Sequence, residues 1–88
     1  MNPLDVMTVG IQEAIAESEA VATWAAEALR RINRQGGYPD FIVGRPGVTE
    51  ETREDDGRTL VLPLNYPKKC YCVINETGGA TLMLADEY

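Results

Sequence analysis

The chain of 88 residues contains no histidine, only two cysteines, one tryptophan and one phenylalanine. Without histidine the commonest general base is missing, and with it the usual serine and cysteine triads and most transition-metal sites. Cys70-Tyr71-Cys72 is a CxC pair, too little for a zinc site. Its two sulfurs share one face of an expected strand and are poorly placed to bridge one another, so buried free thiols are expected. No stretch approaches ~18 uninterrupted apolar residues, so no membrane-spanning helix is expected. The first residues lack a basic segment followed by an apolar run, so no signal peptide is expected. Asn75-Glu76-Thr77 then reads as turn sequence rather than a glycosylation site. Positive charge is also scarce. Fourteen acidic against eight basic residues give a net charge of −6. That disfavours nucleic acid as a direct ligand, because phosphate binding needs a basic patch.

What remains is ordinary for a folded protein: 44% apolar and 25% charged residues, on a chain sized for one domain. A domain this small buries only about 60–65% of its unfolded surface, so self-association is an expected source of extra burial. The strongest local signal is the stretch Arg58–Leu84. Arg58–Leu62 and Cys70–Ile74 are rich in β-branched, aromatic and aliphatic residues, and Ala80–Leu84 returns as a further strand. The loop Glu76-Thr77-Gly78-Gly79 predicts a hairpin between the last two. Leu60 and Leu62 alternate with Thr59 and Val61; Cys70, Cys72 and Ile74 alternate with Tyr71 and Val73. Phe41–Val43 adds a short strand between turns, with no place in the sheet fixed by the sequence.

Residues 1–37 read as one N-terminal helix. Asn2 caps it with Pro3 at the first position, or Thr8 caps a later start. Arg30, Arg31 and Arg34 load its end with positive charge, Glu27 pairs with Arg31 at i,i+4, and Gly36-Gly37 stop it. Helical from Pro3 to Gln35, it would be about 50 Å long at ~1.5 Å per residue. Ile11, Ile15, Ser18, Ala22, Ala25, Leu29 and Ile32 recur with heptad spacing, a candidate self-association seam. The same residues, widened by Val21, Trp24 and Ala28, equally fit an amphipathic helix lying on its own sheet. The expected fold is α+β: one long N-terminal helix, then residues 38–88 as a small antiparallel sheet of three to four strands.

Carboxylates cluster at Glu50, Glu51, Glu54, Asp55 and Asp56, without the alternating ligand spacing of a calcium loop. They form a candidate acidic patch for a basic partner. The glycines match neither GxGxxG nor a phosphate-binding loop. Neither a catalytic site nor a cofactor is expected.

Leu60-Val61-Leu62-Pro63, then Tyr71-Cys72-Val73-Ile74-Asn75, then Thr77-Gly78-Gly79-Ala80-Thr81-Leu82 resemble a pattern of tailed-phage virion proteins: head fibres, capsid decoration proteins and tail-fibre segments. It covers about 25 of the residues. The resemblance implies a trimeric alanine-rich helix ahead of the β module, and a small accessory component of a virion that binds its own copies and another virion protein. It assigns no functional residue. Tyr66-Pro67-Lys68-Lys69 stands where the pattern has a glycine before its second strand. The alternative expectation is a small acidic inhibitor, of anti-CRISPR or DNA-mimic type, that binds a basic host protein complex in the host cytoplasm.

Overall fold

The computed structural model describes residues 2–88. The chain runs β1 (Val6–Met7), α1 (Val9–Glu17), α2 (Glu19–Arg31), β2 (Phe41–Arg45), β3 (Thr52–Arg53), β4 (Thr59–Pro63), β5 (Cys70–Ile74), β6 (Ala80–Leu84) and a short 3-10 turn, Ala85–Glu87. The expected single helix is corrected to two. Thr8 caps the first, accepting a hydrogen bond from the Ile11 amide at 3.3 Å. Ser18 then takes an extended backbone, φ −136 and ψ 116, and ends α1. Its Oγ accepts from the Val21 amide at 3.4 Å and so starts α2. Serine competes with a helix interior for backbone hydrogen bonds but satisfies a free amide at an N-cap, which is why the break falls there. α2 ends at Arg31, before the glycine pair, with Ile32 in an extended conformation as its cap. Its 13 residues span about 20 Å, a length matched to the strands.

The expected antiparallel sheet of three to four strands is likewise corrected. One mixed sheet of six strands has the order β1-β6-β5-β2-β4-β3. β5 and β6 form the expected antiparallel hairpin, with Cys72 opposite Leu82. β2 pairs antiparallel with β5 but parallel with β4, and β1 pairs parallel with β6. Phe41–Arg45 is thus a central strand, and it separates β4 from β5. The parallel β2–β4 pair is possible because β3 runs back antiparallel along the outer edge of β4 before the chain turns into it.

Both helices lie on one face of this sheet. Ile11, Ala14, Val21, Trp24, Ala25, Ala28 and Ile32 meet Ile42, Leu60, Leu62, Cys70, Cys72, Ala80, Leu82 and Leu84 in one core. Trp24 rests where β2 has no side chain: a Cβ on Gly44 would fall 2.7 Å from the indole. At the sheet's β1 edge, a buried ion pair holds the N-terminal segment. Asp5 accepts from the Ala80 amide at 2.8 Å, from the Asn2 amide at 3.1 Å and from the Arg34 guanidinium. Glu87 closes the other side. Its carboxylate accepts from the Thr8 hydroxyl at 2.5 Å and from the Gly10 amide at 3.1 Å. It supplies the negative charge that the first turn of α1 lacks.

Candidate functional site

Side chains alternate across a strand, so the register that sends Leu60 and Cys72 to the helices sends their neighbours to the other face. One row of that face runs Thr52, Val61, Val43, Tyr71, Met83 across five strands. The next runs Val6, Thr81, Val73, Phe41, Thr59. Neither helix lies over these rows. A sheet face turned to water usually carries polar residues at such positions. Here Val43, Val61 and Met83 are apolar and already buried within the chain, Phe41, Tyr71 and Val73 are half-buried, and threonines occupy the flanks.

Aromatic rings close part of this face. Phe41 and Tyr71 meet edge to face with centroids 5.1 Å apart. The chain turns back after β6 and brings Tyr88 within 5.8 Å of Phe41 and 5.5 Å of Tyr71, while Tyr88 stays 76% exposed. The Arg58 guanidinium lies 5.7 Å from the Phe41 ring and its Nε donates to Asp40 at 3.1 Å. Val6 is half exposed at the β1 edge of the same face. Aromatic side chains thus sit around an apolar centre, with a few charges at the margin.

The expected self-association seam is drawn inward. Ile11, Ala25 and Ile32 are buried in the core, and Ile15 and Leu29 pack against it. Ser18 is the cap between the helices, and Ala22 is half-buried. The acidic cluster divides. Glu51 accepts from both terminal nitrogens of Arg31, at 3.0 and 2.8 Å, and Arg31 also donates to Glu27 at 3.2 Å. Arg30, which also donates to Glu27, and Arg31 hold the Glu27 carboxyl below the usual carboxylate range, and Arg31 does the same for Glu51. Asp56 organises the β3–β4 turn. It accepts from the Thr59 hydroxyl at 2.6 Å and from the Arg58 and Thr59 amides, both at 2.9 Å, and its carboxyl is lowered by them. Among the described residues, Glu50, Glu54 and Asp55 enter no ion pair.

Both cysteines are free and buried. Burial pushes the Cys70 thiol up to about 11 and the Cys72 thiol to about 12, which makes them poor nucleophiles and poor metal ligands. Among the described residues no group of three or more carboxylates and thiols is placed to hold a metal ion. Two troughs open beside α2, the first along its whole length. The larger, about 690 Å³, is lined by Glu19, Thr23, Trp24, Arg31, Glu51 and Leu62 among others. Sequence reasoning missed the open face, although its signal was present: Val61, Tyr71 and Val73 are apolar at positions opposite Leu60 and Cys72. Set against protein-family models, curated proteins and solved structures, the chain matches none of them.

Proposed function

We propose that this chain is a non-enzymatic structural protein that self-associates through the open face of its sheet, as a small accessory component of a phage particle. The observation that supports it most is the partly exposed apolar patch that Val6, Phe41, Tyr71, Val73 and Tyr88 form on the second face of the sheet. Strands apolar on both faces are the pattern of sheets buried on both sides. A second copy is the favoured occupant. The phage assignment draws on the resemblance in β4, β5 and β6. There, the intervening β2 and the folded-back helices differ from a contiguous β module carried on a trimeric helix.

Light scattering across a range of concentrations tests the reading. The parent is expected at a multiple of the 9.7 kDa chain. Val73→Lys, on the open face, is expected to reduce it to one chain with its helical signal intact. Ala26→Glu, on the exposed side of α2, is expected to leave the mass alone. A parent that is monomeric throughout, or a Val73→Lys variant that keeps the parent's mass, contradicts the reading.

A second reading, the acidic inhibitor of a host protein complex, draws on the unpaired carboxylates Glu50, Glu54 and Asp55. It predicts salt-sensitive binding to a basic partner, lost when those three are neutralised together.

A further inference from the structure

The two troughs beside α2 form one groove. The second, about 410 Å³, is lined by Pro46, Gly47, Val48, Tyr66 and Pro67, and it shares Pro63, Leu64 and Asn65 with the first. The groove therefore runs from the start of α2, over the end of β4, to the turn after β2. Trp24, Leu62 and Leu64, each almost wholly buried, lie beneath its floor, and the half-buried Ala20 and the exposed Pro63 border it. Its length and its opening to solvent suit a stretch of chain better than an enclosed small molecule.

Charge selects the chemistry of that stretch. Three carboxylates, Glu19, Glu27 and Glu51, line the first trough against one cation, Arg31. Arg31 is engaged by both Glu27 and Glu51, and Glu27 also pairs with Arg30, so these side chains close the mouth as a strap and the negative charge left for a ligand in the lining is that of Glu19. Glu17 adds a fourth carboxylate, accepting from the Tyr66 hydroxyl at 2.5 Å beside the second trough. Glu19 enters no ion pair among the described residues. We infer that this groove binds an extended, lysine- or arginine-bearing apolar segment of a protein partner, with apolar side chains over Ala20 and Pro63 and a cation at Glu19. The groove lies on the helix layer, so it remains open when the opposite sheet face is occupied. It provides a second attachment point that does not depend on self-association.

Trp24 is the chain's only tryptophan, so its fluorescence reports on the groove directly. The probe is a short capped peptide of alternating leucine and lysine, titrated into the full chain at low salt. The control is the same peptide with glutamate for lysine, and spermidine stands for a cation without apolar side chains. The expected result is a saturable change in Trp24 emission with the lysine peptide alone. Glu19→Gln is expected to weaken the apparent affinity about two- to fivefold and to reduce its salt dependence. Glu13→Gln, on α1 and outside the groove lining, is expected to change neither. Equal responses to the lysine and glutamate peptides overturn the charge argument. A response to spermidine equal to that of the lysine peptide overturns the segment in favour of a small cation. No response to the lysine peptide overturns the site.

Discussion

Gly44 and Trp24 occupy one volume between them, and neither residue explains itself alone. A methyl group at Gly44 meets the indole at 2.7 Å and the Leu64 side chain at 2.9 Å. Gly44→Ala is expected to cost about 1–3 kcal/mol, the range of overpacked cores, read as a lower urea midpoint with an unchanged slope. The thiols make a second residue-scale prediction. With Cys70 and Cys72 raised by burial to about 11 and about 12, iodoacetamide at pH 8 should label neither in the folded protein and both in urea. Asp5 makes a third. Burial pushes its carboxyl up, but the Arg34 guanidinium and the Ala80 and Asn2 amides pull it further down, so the folded value lies below the ordinary 3.8. Its stabilising contribution is therefore complete above the unfolded value and is lost as pH falls through the folded one. Below about pH 4 the parent should lose stability more steeply than Asp5→Asn, as followed by urea midpoints at successive pH values. The buried cysteines and the Thr8 cap were legible in the sequence, because alternation and local capping determine them. The Asp5 clamp was not, since its partners lie 29 and 75 residues away in the chain.

Among the elements, Ser18 decides the shape of the helical layer. In an unbroken helix Ser18→Ala would stabilise, because alanine is the better helix former. In the observed pair of helices the same substitution removes an N-cap and is expected to cost about 1 kcal/mol. The sign of the change in urea midpoint distinguishes the two. The heptad spacing of Ile11 to Ile32 does not, because a seam for a second helix and a face lying on a sheet place apolar residues at nearly the same intervals. Three of the six strands were readable at close to their observed bounds, β2 was readable as the shorter Phe41–Val43 without a place in the sheet, and two were not readable. β1 and β3 are two residues each, too short for any periodicity. Their absence from the sequence reading removed both parallel pairs' context. β1 is one partner of the β1–β6 pair, and β3 is the return strand that lets β2 and β4 run side by side.

For the molecule as a whole, the two layers leave one side of the sheet without a helix, and that side is apolar at its centre. Its side chains were in view from the sequence, yet the faces could be assigned only once the helices were seen to cover Leu60, Cys72 and Leu82. The proposed self-association buries Phe41, Tyr71 and Val73 between copies of the chain. Hydroxyl-radical footprinting at low and high protein concentration tests it at those side chains. Phe41, Tyr71 and Val73 are expected to react in dilute solution and to become protected as concentration rises. Val9, exposed at the start of α1, should react equally throughout. Reactivity at Phe41, Tyr71 and Val73 that stays constant across the whole concentration range would contradict it.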